Sequence, residues 1–279
     1  MASLLALLSS ILWGTADFEG GRLSKRHPPI AVVGFSQVIG LIFGITLMLI
    51  TGAWHSRALG DGGYLIPGLL AGLLGYFGLF CLYAGLSTGR MGVVSPISSM
   101  GAIIPLAYAL LNGDKLSSIT SIGVICALTG VFFASGPELN QGLPLKPLLL
   151  AVGAACGFGG ALTLMSIGSQ SSALMTMVSM RAATFLVTST IALRYKSVGN
   201  FTRKEFPGLF FMGVSDFLAN LLLGIACNNG LVSIAMVLGS LFPIATAVLA
   251  FKFLHERLHK VQYVGIALAV TGVALISAF

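Results

Sequence analysis

The sequence predicts an all-α integral membrane protein: ten transmembrane helices arranged as two inverted five-helix repeats. Three observations carry this expectation. Hydrophobic residues make up 56% of the 279-residue chain and charged residues only 8%. A soluble domain is about one-quarter charged, so these few charges cannot coat a globule of this size, and most of its surface must face lipid. Ten apolar segments reach or approach the roughly 20 residues that cross a hydrocarbon core. The two halves of the chain also resemble each other, with five such segments in each.

The segments run near 3–20, 30–52, 64–88, 92–112, 118–136, 145–168, 172–193, 206–228, 231–253 and 260–278. The first has no basic residues before it and no A-x-A cleavage site, so it reads as a retained span and not as a signal peptide. Asn112, Gly113, Asp114 and Lys115 separate the fourth from the fifth, and His255 to Lys260 separate the ninth from the tenth. The longest central break, Gly136 to Pro144, has the Gly and Pro content of a linker. This gives a first unit over 1–136, a linker over 137–144 and a second unit over 145–279. Most of the 36 glycines lie inside apolar runs, where small residues let helices approach closely in lipid. The spacings Gly40/Gly44, Gly68/Gly72 and Gly153/Gly157 are expected at helix contacts. Cys81, Cys126, Cys156 and Cys227 form no C-x-x-C pair and read as small apolar side chains.

Basic residues orient the spans. The odd-numbered loops and their flanks hold Arg22, Lys25, Arg26, Arg90, Lys146, Arg194, Lys196, Arg203, Lys204, Lys252, Arg257 and Lys260. The even-numbered loops hold only Arg57 and Lys115. The bias predicts odd loops in the cytoplasm and both termini outside, in a plasma (inner) membrane. The net charge of +7 is thereby a topology signal. With no basic stripe or aromatic platform, nucleic-acid binding is not expected.

The repeat is ordered along the chain. Gly92, Val94, Ser95, Gly101 and Pro105 match Gly230, Val232, Ser233, Gly239 and Pro243 at an offset of 138. At an offset of 142, Asp114, Lys115 and Leu116 match Glu256, Arg257 and Leu258. Gly123, Thr129, Gly130 and Val131 match Gly265, Thr271, Gly272 and Val273 at the same offset. Because five is odd, the second unit must sit inverted relative to the first. Inverted repeats are how many secondary transporters build two alternating gates around one central site.

Several of these residues resemble a known family. Trp13 and Gly14 in the first span, Arg181 in the seventh, and Pro243 followed by His255, Glu256, Arg257 and Leu258 before a Gly-rich last span are similar to the EamA family of the drug/metabolite transporter superfamily. The resemblance covers nearly the whole chain. It implies a ten-helix basket with a central cavity and the export or exchange of small metabolites or drugs. Asp114 stands where the family's usual Glu would be, and Gln37 stands where Arg181 falls in the second repeat. A symmetric pair of charged sites is therefore not expected.

Arg181 lies about ten residues into its span, and a charge there costs at least about 2.5–3.5 kcal/mol on insertion scales. It should face the bundle interior, either binding an anionic group or holding a structural ion pair. Asp216 is equally deep, with Asn220 one turn on along the same face. Asp216 is read either as a proton-linked carboxylate or as the partner of Arg181, the paired reading being favoured. Gln37, Tyr76 and Trp13 complete the expected contacts to substrate or proton, with helix packing the alternative for Trp13. Tyr83 and Asn112 are weaker candidates. Asp17 and Glu19, at the end of the first span, are expected at the head-group interface. Pro96, Pro105 and Pro243 lie inside spans, where proline removes a backbone donor and kinks a helix. Pro105 and Pro243 share a repeat position and are the expected gating hinges.

The competing reading is an intramembrane zinc metalloprotease. His255, Glu256 and His259 match H-E-x-x-H, which on a helix places two ligands on one face with a general base. Against it, the motif lies in a short basic loop, no third ligand follows, and the first repeat matches the Glu-Arg-Leu part without any His. There is no Walker A sequence. The expectation is therefore no enzyme, no cofactor and no metal. The partners are the lipid bilayer, a small-molecule solute and protons as a coupling ion, in a chain compatible with a monomer.

Overall fold

The computed structural model describes residues 1–24, 26–86, 91–136, 145–195, 200–254 and 259–278. Among them there is no strand, and every element is helical. In order they are α1 (Ala2–Ser24), α2 (Pro29–Thr51), α3 (Leu65–Leu86), α4 (Met91–Ser99), α5 (Ile103–Leu111), α6 (Ser118–Ala134), α7 (Leu145–Tyr195), α8 (Phe206–Asn229), α9 (Val232–Gly239), α10 (Phe242–Leu254) and α11 (Lys260–Ala278). Six stretches are long and apolar enough to cross a membrane, one of them 50 residues long. α1 is not among them: it has the length, but Asp17, Glu19 and Arg22 cluster in its last two turns. The chain is an all-α, multi-pass membrane protein. The segment 137–144 read as a linker and most of the H-E-x-x-H match, 255–258, lie outside the described residues.

Two expected spans are broken. The span predicted over 92–112 divides into α4 and α5 across a 3-10 turn at Met100–Ala102. The span predicted over 231–253 divides into α9 and α10 across Ser240 and Leu241. Pro105 and Pro243 are thus placed differently from the helix-interior position that the sequence suggested. Each sits in the first turn of a new helix, where the missing N–H would have had no partner anyway. Pro96 does lie inside α4. The two spans predicted over 145–168 and 172–193 form α7, with Ser172 extended between its arms. Ser172 Oγ accepts the Met175 N–H at 3.3 Å and caps the second arm.

Glycines bring the helices together. A β-carbon on Gly157 of α7 would lie 2.7 Å from the backbone of Gly78 on α3, and one on Gly68 would meet Ser179 at 2.7 Å. Gly44 faces the Phe217 ring of α8. α6 and α11 also approach backbone to backbone, and their contacts exchange roles under the 142-residue offset. Gly130 abuts Ala269, and Gly272 abuts Ala127. Gly123 abuts Gly272, Leu275 and Ile276, while Gly265 abuts Gly130, Phe133 and Ala134. Cys81 and Cys227 are buried among the helices, whereas Cys156 is exposed.

Two polar contacts fasten loops. Asp114 Oδ2 accepts the Ser233 N–H at 2.9 Å and its hydroxyl at 2.8 Å, which satisfies an open donor at the start of α9. Glu205, just before α8, accepts the Thr202 N–H at 2.7 Å and meets His27 Nε2 at 2.5 Å. The Thr202 N–H first and His27 second pull the Glu205 carboxyl from the ordinary 4.5 down to about 2. A depressed carboxylate stabilises the fold above its unfolded value, and that contribution disappears as pH falls through the folded value. Glu205→Gln should therefore melt below the wild type at pH 6. The gap should close between pH 4.5 and 2 in a thermal-unfolding series.

Candidate functional site

The site begins with one buried charge. α7 carries Arg181 into the interior, with its side chain 6% exposed, and the neighbouring helix must make room for a guanidinium. Gly40 on α2 does so: a β-carbon there would lie 3.4 Å from Arg181 Nε. Arg181 Nη2 donates to Asp216 Oδ2 at 2.7 Å, and Nη1 donates to Gln37 Oε1 at 2.6 Å. Gln37 turns its amide to the same carboxylate, donating to Oδ2 at 3.1 Å. Thr184, one turn beyond Arg181, donates to Gln37 Oε1 at 3.3 Å.

The other carboxylate oxygen is equally occupied. Trp13 Nε1 donates to Asp216 Oδ1 at 3.1 Å and Asn220 Nδ2 at 3.2 Å. Asn220 also ties to the Asp216 backbone carbonyl at 2.7 Å. Four donors thus converge on one carboxylate, close to the capacity of its lone pairs. Asp216 is the more open partner of the pair, with its side chain 22% exposed.

The network forms one wall of a cavity of about 160 Å³. Trp13, Gln37, Tyr76, Arg181, Asp216 and Asn220 all line it, drawn from α1, α2, α3, α7 and α8. Both span breaks reach it as well, through Gly101 and Ala102 on one side and Ser240 and Phe242 on the other. Irregular backbone at membrane depth is tolerated where it borders a cavity. The buried hydroxyl of Tyr76 has no partner of good hydrogen-bond geometry, and Thr188 is the side chain close enough to interact with it. Trp13 packs edge-on against Phe242, with ring centroids 6.0 Å apart.

Pro105 and Pro243 follow the breaks but do not line the cavity. Asn112 caps α5 by donating to the Tyr108 carbonyl at 2.8 Å and does not line the cavity. The side chain of Tyr83 lies outside the described residues. Glu19 pairs with Arg22 at 2.6 Å. Asp17 corrects its expected interfacial placement, because its side chain opens into the cavity. α1 runs on to Ser24, so Asp17 sits two turns inside the helix end. Trp13 four residues earlier was the available signal, since residues at i and i+4 share a helix face. Thr184 was missed for a similar reason, standing one turn from Arg181 without a charge to mark it.

Of the H-E-x-x-H match, His259 is described. Its backbone N–H donates to Gln262 Oε1 at 2.9 Å, at the entrance to α11. Among the described residues no group of three His, Cys, Asp or Glu could hold a metal ion.

Comparison with known proteins agrees with this architecture. A solved crystal structure of another protein superposes over 99% of this chain and 96% of its own with a TM-score of 0.80. At 17% identity that likeness speaks for the fold alone. An uncharacterized protein of Methanocaldococcus jannaschii is 26% identical over 135 residues. The match takes in 96% of that protein but 48% of this chain, so the relative has about the length of one half. The sequence profile of the EamA-like transporter family matches twice, over residues 1–136 and 145–278. The chain belongs to the EamA-like transporter family, within the drug/metabolite transporter superfamily.

Proposed function

We propose that this protein is a secondary transporter that carries a small metabolite or drug across the membrane by alternating access, drawing on a solute or proton gradient. The observation that carries the reading is the convergence of Arg181, Asp216, Gln37, Asn220 and Trp13 on one interior cavity. Ionisable groups inside a membrane protein mark substrate or proton pathways by default.

In this reading α1, α2, α3, α4 with α5, and α6 make the first five spans. The two arms of α7, α8, α9 with α10, and α11 make the second five, with 137–144 as the linker between the two repeats. The exchange of contact roles between α6 and α11 supports an inverted pair, because a two-fold interface brings i to j and j to i. The paired breaks before Pro105 and Pro243 support hinges. Rocking about them would open the cavity to one side and then the other. The charge bias places the odd loops in the cytoplasm of a plasma membrane and both termini outside.

The test is flux in proteoliposomes of a solute first found by thermal-shift screening, since a ligand of the folded state raises apparent stability. The flux should saturate and be stimulated by solute on the far side. A linear, unstimulated flux would indicate an open pore. Unchanged flux in the doubly substituted Arg181→Ala, Asp216→Ala protein, at normal expression, would remove the site.

A further inference from the structure

We infer that the cavity selects a small organic cation, an ammonium group carried on a body of about one aromatic ring, with Asp17 as its counter-charge. The inference deepens the reading of the cavity as a transport site and rests on it.

One arginine and two aspartates line the cavity. Arg181 and Asp216 satisfy each other at 2.7 Å, and the remaining acceptor capacity of Asp216 is filled by Trp13, Gln37 and Asn220. Neither member of the pair has a free face for a substrate charge. The one Arg181 nitrogen without a partner, Nε, is buried and lies on the Gly40 side, so it forms no anion receptor in the cavity. Asp17 is different. It opens into the same cavity and pairs with no basic side chain among the described residues. It shares the cavity with Asp216, a carboxylate of like charge. Asp17 is accessible at the cavity, so a cationic substrate entering it would meet a carboxylate with no other counter-charge.

The rest of the lining suits the same ligand. Trp13, Tyr76, Phe158 and Phe242 present aromatic surface, and a cation over such rings gains about 0.5–2 kcal/mol. The volume of about 160 Å³ is close to that of an engineered apolar cavity, roughly 150 Å³, that accepts benzene. An anion would instead meet the Asp17 carboxylate, and the unpartnered Tyr76 hydroxyl offers it a neutral donor but no counter-charge.

The experiment measures binding to the full chain in lipid nanodiscs with three probes of similar size: phenyltrimethylammonium, uncharged tert-butylbenzene and benzenesulfonate. The cation should bind at least about tenfold more tightly than the neutral probe, equivalent to about 1.4 kcal/mol, and benzenesulfonate should not bind. Asp17→Asn should lose that cation preference while keeping the neutral probe, and Asp17→Glu should retain it. Cation binding that is absent, or that matches the neutral probe in the wild type, overturns the inference. So does cation binding unchanged in a folded Asp17→Asn protein, or preferred binding of benzenesulfonate.

A second variant separates this failure from failure of the cavity itself. Gly75 lines the cavity, and a β-carbon there meets only Ala161 at 3.6 Å, so Gly75→Leu should fill the space without disturbing the helix. If Gly75→Leu abolishes all probe binding, the cavity is the site, and the pattern among the probes decides the charge class. If every probe binds Gly75→Leu as it does the wild type, the cavity reading and the cation inference both fall.

Discussion

Asp216→Ala is expected to destabilise the protein by about 3–5 kcal/mol, the usual cost of stranding a buried charge. The substitution leaves the Arg181 guanidinium, 6% exposed, with only Gln37 Oε1 as a partner. It also strands the Trp13 indole N–H and the Gln37 amide, which lose their bonds to the carboxylate. Arg181→Ala should cost less, because Asp216 is the more open partner and keeps its bonds to Trp13, Gln37 and Asn220. The informative protein is the double replacement Arg181→Met, Asp216→Leu. Exchanging a buried pair for apolar side chains of similar volume is often neutral or stabilising, so heat resistance in detergent should recover most of the loss. Transport should not recover, because the polar wall of the cavity is gone. A double variant as unstable as Asp216→Ala would mean that the pair is needed for the fold itself. One that transports normally would mean that the network does not serve transport.

The sequence made the helices legible because lipid imposes a simple rule: a span is a run of about 20 apolar residues, and polar breaks mark its ends. It also marked Arg181 and Asp216, since charges at that depth stand out against an apolar background. What it did not resolve was partnership. Gln37 emerged by aligning with Arg181 across the repeat, yet the structure bonds these two residues to each other. A one-dimensional alignment cannot tell equivalence from contact, although near a two-fold axis the two coincide. Asp17 was misplaced because hydropathy ended the first span at residue 20, while the helix continues to Ser24. The breaks in the fourth and ninth spans were also hidden. Gly101 with Pro105, and Gly239 with Pro243, read equally well as kinks within one helix. The division of each into two helices, beside Ala155 of α7 and Gly14 of α1, appears only in three dimensions.

Substitution at the α6–α11 contact should have the largest purely structural effect. A β-carbon on Gly130 would overlap the backbone nitrogen of Ala269, and one on Gly265 would overlap that of Ala134. Backbone cannot rotate away as a side-chain tip can, so the helices must separate. Overpacking of this kind costs about 1–3 kcal/mol even for a single methylene, and valine adds more volume than that. Gly130→Val and Gly265→Val should each sharply lower the yield of monodisperse protein on size exclusion. The reciprocal geometry predicts more. Gly130 and Gly265 both act by pushing α6 from α11, so once one substitution has opened the gap, the second meets less resistance. The combined loss should therefore fall short of the sum, as expected for coupled sites. Gly21→Ala serves as the control, since nothing lies within 4 Å of its β-carbon position and alanine is the better helix former. Additive losses would mean that the two glycines support separate contacts, and wild-type yield from Gly265→Val would mean that α6 and α11 do not pack this closely in the membrane.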